Sequence, residues 1–165
     1  MIIMNYKNSS MFIEENVIKV ISNWRQVNLS DNESGGMLIG AISDDQKIVM
    51  INDLTLPIKE DIQSRFQYIR SEKHNNLLKE KWLASNKTLM YFGEWHTHPQ
   101  DDPIYSTQDY KNWKMLLNHS NTFTEDLLFL IAGRKHFKIW LGNRKNNKIT
   151  LLFKGEFSEI DTKNN

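Results

Sequence analysis

The chain has 165 residues, and its 21 basic and 20 acidic side chains nearly cancel, so no strong overall field attracts nucleic acid or an anionic membrane. It contains no cysteine, which excludes disulfides, cysteine-ligated zinc and thiol nucleophiles. The length, five Trp and eight Phe predict one globular domain over residues 1–165.

The first ten residues, MIIMNYKNSS, contain a short apolar run with no preceding basic region and no small-residue cleavage site. They are therefore not expected to be a signal peptide. No apolar run reaches the roughly 20 residues that a membrane-spanning helix needs. We expect a cytoplasmic protein with neither a membrane nor a nucleic-acid partner.

Apolar residues recur at three- and four-residue steps after Ser10, with two glutamates in the first turn, which predicts a helix from Ser10 to about Asn28. The runs GGMLIGAI and KIVMINDLTL, separated by SDDQ, predict a β-hairpin whose first strand begins with glycines. Residues 58–73 have no clear period, although RFQYI is compatible with a short strand.

Further along, HNNLLKEKWLASN predicts a helix over about 74–85, and TLMYFGEW predicts a buried strand. A polar stretch, HTHPQDDPIYSTQD, follows this strand and leads into a helix predicted over STQDYKNWKMLLNHS. LLFLIAG, HFKIWLG and KITLLFKGE predict three more strands. The whole pattern predicts an α/β domain with a mixed β-sheet flanked by helices.

Two histidines in the polar stretch are separated by one residue. In extended backbone this spacing directs the imidazoles of His96 and His98 to the same side, so both can bind one metal ion. The spacing alone is weak support, because His-x-His is common and two partly exposed histidines at a strand end explain it as well.

Ser106 and Asp109 stand at the start of the helix that follows. Ser-x-x-Asp is close to a capping box, and capping alone explains the pair. The first helical turn also directs Asp109 back toward the strand end that carries the histidines. Two imidazoles and a carboxylate suit Zn²⁺ and leave a fourth position open for water, as in catalytic zinc sites.

A zinc hydrolase also needs a base that takes a proton from water and delivers it to the leaving amine. Glu33 is the candidate, because it precedes a glycine-rich strand start where Gly35 and Gly36 let another backbone come close. The alternative is an ordinary surface glutamate.

These residues together match a known pattern. Glu33 followed by SGGMLIG, then HTHP, then Asp109 with ten residues between it and His98, and Ser106 three residues before Asp109, resemble the JAMM (MPN-plus) metallopeptidases. The resemblance extends over about residues 33–142. GEWHTHP, STQDYKNW and SRFQYIR are similar to the bacterial branch of short JAMM proteins found beside E1- and E2-like enzymes in cyclic-oligonucleotide antiphage (CBASS) operons. Here STQD replaces the usual SSTD, and Tyr105 replaces a proline.

The resemblance implies a single JAMM/MPN domain with a cytidine-deaminase-like fold. It implies that His96, His98 and Asp109 hold Zn²⁺, that Glu33 is the general acid/base, and that Ser106 stabilises the oxyanion. It also implies a substrate bond at the C-terminus of a ubiquitin-like or otherwise conjugated protein. In the antiphage branch that protein is a nucleotidyltransferase, and the E1- and E2-like enzymes are partners.

Two other functions remain open. The chain is a binding scaffold if the fold is kept without activity, or a metal hydrolase with another substrate, such as small peptides or a RadC-like role. The remaining histidines, His74, His119 and His136, are interpreted as surface or helix-end residues. The basic residues between Arg134 and Lys148 are interpreted as a solvated face, with a rim that contacts an acidic partner as the alternative.

Overall fold

The computed structural model describes residues 1–161, and over these residues ten strands and four helices form. In chain order they are β1 (Ile2–Tyr6), β2 (Ser9–Ile13), α1 (Glu15–Ser22), β3 (Gly35–Ile42), β4 (Ile48–Leu54), β5 (Ile62–Ser64), β6 (Gln67–Ile69), α2 (His74–Ala84), β7 (Met90–Thr97), α3 (Thr107–His119), β8 (Asp126–Ala132), β9 (His136–Asn143), β10 (Lys148–Glu156) and α4 (Phe157–Asp161).

Eight strands form one mixed sheet in the order β1-β2-β4-β3-β7-β8-β9-β10. The pairs β2–β4 and β7–β8 are parallel, and the other neighbours are antiparallel. Strands β5 and β6 form a separate two-stranded hairpin between β4 and α2. The predicted mixed α/β fold is therefore confirmed, whereas a single domain over all of residues 1–165 stays a prediction.

Helices cover both faces of the large sheet. On one face, side chains of α1 and α4 join a core built from the strands, with Ile18 and Phe157 among the fully buried members. On the other face, Trp113 and Leu117 of α3 pack on Phe129 and neighbouring residues of the central strands. The centre of the sheet, where β7 lies between β3 and β8, is thus shielded on both sides.

The predicted hairpin over GGMLIGAI and KIVMINDLTL is confirmed as the antiparallel pair β3–β4. Helix α2, strand β7, helix α3 and strands β8 to β10 also lie where the sequence predicts them. In the segment without a clear period, the short strand in RFQYI is confirmed as β6 and pairs with β5. Gly36 lies under Thr55, whose carbonyl oxygen would be 2.1 Å from an added Cβ, so the close backbone approach expected at the glycines is present.

The helix predicted from Ser10 to about Asn28 is wrong at both ends. Residues 9–13 form β2, which pairs with β1 and β4, and the helix extends only over Glu15–Ser22. Met11 and Ile13 alternate into the core as strand residues, but Ile13 also precedes Val17 by four residues and so fits the apolar spacing of α1. At the other end, Val27 is 60% exposed, so it does not extend an apolar helical face.

Of the two placements predicted for His74, the helix end is confirmed and the surface is wrong. This residue begins α2 but is fully buried, with Nδ1 2.6 Å from the hydroxyl oxygen of Thr55 and Nε2 3.0 Å from both carboxylate oxygens of Asp61. Asp61 also accepts hydrogen bonds from the backbone of Ser71 and the hydroxyl of Tyr68. His74 therefore connects the β5–β6 hairpin to the sheet through a buried polar network.

We expect His74→Leu to reduce the free energy of unfolding by about 1–3 kcal/mol, because it removes the buried imidazole from its hydrogen bonds with Asp61 and Thr55. Urea denaturation measures this change. The matched substitution His119→Leu, at an exposed residue, is expected to have almost no effect. Equal stability of the two variants would contradict a structural role for the network.

Candidate metal and catalytic centre

Strand β7 places the two histidines at the end of the sheet. Alternation along the strand puts Trp95 and Thr97 on one face, and His96 and His98 on the other. Trp95 is fully buried and donates its indole N–H to the carbonyl oxygen of Thr55. Hydrogen bonding to β3 and β8 holds β7 on both sides, and His98 continues this pairing by donating its backbone N–H to Ala132. The imidazoles are thus carried on rigid backbone.

Asp109 in the first turn of α3 faces the histidines. Its Oδ1 lies 3.1 Å from His96 Nε2, its Oδ2 lies 3.2 Å from His98 Nε2, and the two Nε2 atoms are 3.0 Å apart. Ligands bound at 2.0–2.1 Å with tetrahedral angles are separated by about 3.3 Å. Each imidazole therefore lies near a different carboxylate oxygen, at nearly the spacing of neighbouring ligands of one tetrahedral metal ion, and the three residues form a candidate metal site.

Ser106 and Asp109 form the capping box that the sequence predicts. The Ser106 hydroxyl oxygen accepts from the Asp109 backbone at 3.0 Å, and Asp109 Oδ2 accepts from the Ser106 backbone at 2.6 Å. One carboxylate thus caps the helix and faces both histidines. The hydroxyl uses only acceptor capacity in the cap, so its O–H remains a donor.

Aromatic packing holds the loop before Ser106. Tyr105 occupies the position where the JAMM proteins that the sequence resembles have proline. Its ring centroid lies 5.4 Å from that of Trp113 and 5.6 Å from that of Trp140. These edge contacts anchor the loop on α3 and β9.

Glu33 comes from the segment just before β3. Its Oε1 lies 3.9 Å from His98 Nε2, and the residue is only 5% exposed. Burial raises the pKa of Glu33 to about 7; the positive charge of His98 opposes this rise and the negative charge of Asp109 adds to it. The structure thus brings Glu33, which is distant along the chain, close to the histidines, and its pKa lies near neutral pH.

Contacts among the candidate ligands shift the pKa values of Asp109 and His98 in opposite directions. Burial favours a high pKa for Asp109, but hydrogen bonds from His96 and His98 hold it well below its usual value. Burial favours a low pKa for His98, but the hydrogen bond and charge of Asp109 outweigh it and raise the pKa. An anionic carboxylate beside two imidazoles is a suitable donor set for a divalent cation.

Thr97, between the histidines, fixes Glu33 from the opposite face of β7. Its hydroxyl oxygen accepts from the backbone N–H of Ser34 at 3.0 Å, its O–H donates to Oε1 of Gln26 at 3.2 Å, and its backbone N–H donates to the Ser34 carbonyl. Gln63 of β5 donates to the Glu33 carbonyl at 2.8 Å. Sequence reasoning missed both roles, since Thr97 enters the HTHP motif only as the residue between the two histidines and Gln63 belongs to no recognisable motif.

A groove leads away from the candidate metal ligands. Next to His96 and Asp109 lies a cavity of about 190 Å³, bounded by the end of β6 on one side and by α3 on the other. Arg70 and Glu94 form an ion pair of 2.9 Å in this wall, and the same Arg70 borders a second cavity of about 580 Å³ near His119. The two cavities adjoin along α3.

The fold and the His-His-Asp cluster define a mixed α/β protein with a candidate metal centre at the end of its central strand. The chain belongs to the prokaryotic homologs of the JAB domain, whose family model matches residues 15–149. The family expected from the sequence is thereby confirmed.

Curated relatives carry a more specific name. A protein of Escherichia coli (strain TW11681) named "CD-NTase/cGAS isopeptidase" is 32% identical over 89% of this chain and 90% of its own length. A protein of the same name from Vibrio cholerae serotype O1 is 34% identical over 85% of each chain. The solution structure of protein DSY2949 from Desulfitobacterium hafniense is similar in fold, with a TM-score of 0.60 at 16% identity over 86% of this chain and 88% of that one.

The described helices include none that is long and apolar enough to cross a membrane.

The basic residues after β8 are partly paired within the chain, since Lys135 contacts Asp101 and Lys138 contacts Asp102, each at 2.8 Å. His136 lies 3.0 Å from Glu156.

We expect Thr97→Val to speed hydrogen exchange of the Ser34 amide by about tenfold or more, because the buried N–H loses its side-chain acceptor, a loss of roughly 1–2 kcal/mol. Hydrogen exchange followed by NMR measures this change. Thr150→Val, on an exposed position of β10, is the matched control and should leave the Ser34 amide as it is in the wild type. Unchanged exchange in Thr97→Val would show that this hydroxyl does not hold the Glu33 segment.

Proposed function

We propose that the protein is a zinc-dependent isopeptidase that cleaves the bond at the C-terminus of a conjugated protein. One observation carries the proposal: a buried carboxyl group, Glu33, lies 3.9 Å from a histidine of a compact His-His-Asp cluster. This arrangement provides a base beside a metal site, which metal-dependent hydrolysis of an amide requires.

The donor set favours zinc. His96, His98 and Asp109 supply two imidazole nitrogens and one carboxylate oxygen, and three protein ligands leave one coordination position for water or substrate. Bound zinc would lower the pKa of a coordinated water and polarise the scissile carbonyl.

Glu33 would act as the general base and then as the general acid. Its carboxylate oxygen takes a proton from the attacking water and delivers it to the nitrogen of the leaving amine. A pKa of about 7 suits both steps, since the group can gain and lose a proton at neutral pH. The low exposure of Glu33 keeps bulk water from competing for the proton.

Ser106 would donate a hydrogen bond to the oxyanion that develops on the scissile carbonyl. The capping box and this role do not compete, because capping uses the oxygen as an acceptor and leaves the O–H free. Ser106 is exposed, so a substrate can reach it.

The groove supports an extended C-terminal tail as the substrate. Along α3, Asp109 and His119 are separated by roughly 15 Å, at 1.5 Å per helical residue. An extended chain rises about 3.3 Å per residue, so about four or five residues of a tail fit beside α3. Near the metal ligands the groove walls include Ile69 and Met115, so the tail would meet both apolar and polar groups.

The conjugated protein is proposed from the relatives. Because they are named CD-NTase/cGAS isopeptidases, we propose a CD-NTase as the conjugated protein. The motifs GEWHTHP and STQDYKNW support E1- and E2-like enzymes as the partners that make the conjugate. The test is to incubate the purified protein with such conjugates, with and without a chelator. Chelator-sensitive release of the free CD-NTase is expected. Activity on free peptides alone would indicate a hydrolase of another substrate class, and no activity at full zinc occupancy would indicate a scaffold.

We expect Glu33→Gln to keep about one zinc per chain and to lower the cleavage rate by roughly 10²–10⁴-fold, because the amide cannot transfer the proton. Elemental analysis and single-turnover cleavage measure the two properties. Asp109→Ala should lose both zinc and activity. Undiminished turnover in Glu33→Gln would remove the assignment of Glu33 as the base.

We expect Asn112→Trp, which places a large ring in the groove, to lower kcat/KM for the conjugate by at least about tenfold with zinc content unchanged. Lys111→Trp, on the adjacent exposed position of α3 outside the groove, is the control and should retain wild-type kinetics. Steady-state cleavage assays distinguish the two. If both variants cleave equally well, the tail does not lie along α3.

A further inference from the structure

The side chain of Gln100 lies behind the ring of His98, on the side away from the cluster. Its Oε1 is 3.4 Å from His98 Nδ1, and the same oxygen accepts the backbone N–H of Ile104 at 3.0 Å. The other ring nitrogen of His98, Nε2, faces Asp109. One histidine is thus bordered by an amide on one side and by the candidate metal site on the other.

The contact with Ile104 fixes which atom of the amide faces inward. A backbone N–H can only donate, so the atom of Gln100 that it meets must be the oxygen. His98 Nδ1 faces this same oxygen, so it must carry the hydrogen for a bond to form. In a neutral imidazole with hydrogen on Nδ1, the lone pair is on Nε2.

We propose that Gln100 is a positioning residue that selects the Nδ1–H tautomer of His98 and so presents the Nε2 lone pair to the metal ion. This inference rests on the proposed function, because it assigns a residue to the same zinc site. A histidine ligand commonly donates its second ring N–H to such an acceptor, which fixes both the tautomer and the ring orientation.

The backbone around Gln100 is held firmly enough for this role. Its carbonyl oxygen accepts the N–H of Arg134 at 2.6 Å, and the carbonyl of Asp101 accepts from Lys135 and His136. A Cβ on Gly133 would lie 2.5 Å from the Gln100 carbonyl oxygen, so the loop packs directly on the turn after β8. His98 donates its backbone N–H to Ala132 of β8. The Gln100 amide and the His98 imidazole are therefore both held by the end of β8 and the turn that follows it.

The experiment compares two substitutions in the full chain. Gln100→Met removes the acceptor at similar volume, and Gln100→Glu keeps an acceptor oxygen. Asp102→Asn is the control, because Asp102 anchors the same loop to Lys138 and Lys154 and is placed outside the site. Chelator competition measures zinc affinity, and ¹⁵N NMR of the zinc-loaded protein follows the Nδ1–H of His98.

We expect Gln100→Met to bind zinc roughly 10–100-fold more weakly and to lose the slowly exchanging His98 Nδ1–H. Gln100→Glu should retain both properties, and Asp102→Asn should match the wild type. Wild-type affinity and an unchanged ring N–H in Gln100→Met would overturn the proposal. An equal loss in Gln100→Glu would also overturn it, because loop packing rather than an acceptor would then be responsible.

These outcomes are separable from those that test the proposed function, since zinc affinity is measured without substrate. A wild-type protein that binds zinc through a Gln100-dependent site but cleaves no conjugate contradicts the isopeptidase proposal alone. A wild-type protein that binds no zinc contradicts both.

Discussion

The candidate centre depends on the buried hydrogen bonds between Thr97 and Ser34. Strand β7 is paired on both sides, so its end has little freedom, and these bonds attach the segment before β3 to that end. Glu33 is the residue directly before Ser34 in this segment. A shift of the Ser34 backbone would move the Glu33 carboxyl away from His98, because Glu33 immediately precedes Ser34. The histidines and the glutamate are thereby kept in one fixed arrangement although 63 residues separate Ser34 from Thr97.

Several residues of the centre have two roles, which explains why function is hard to read from any one of them. Asp109 caps α3 and faces both histidines, and Ser106 caps the same helix with a donor left over. The loop between His98 and Ser106 is shaped by contacts outside the five motif residues, through Tyr105 on its aromatic neighbours and Gln100 on Ile104. In this chain the loop relies on side-chain packing at the position where the resembling family has a proline.

The regular elements that the sequence predicts correctly have a strong local signal. Strands β3 and β4 are apolar runs on either side of a polar turn, and α3 combines an apolar stripe with its own cap. The helix prediction is wrong for residues 9–13 because Ile13 lies four residues before Val17 and so extends the helical spacing of α1, and only pairing with β1 and β4 selects the strand. The burial of His74 is not evident from the sequence, because its partners Thr55 and Asp61 are 19 and 13 residues away and no spacing rule connects them.

The sequence by itself determined the family, the mixed α/β class and the candidate ligands His96, His98 and Asp109. These residues are close together in the sequence. Strand alternation and the geometry of the first helical turn therefore predict the direction in which each side chain points. Only the tertiary structure decided that Glu33 reaches the histidines, that a groove follows α3, and that Gln100 and Thr97 contact residues of the candidate centre. These features arise from contacts between strands and loops that are distant along the chain, and such contacts leave no periodic trace in the order of the residues.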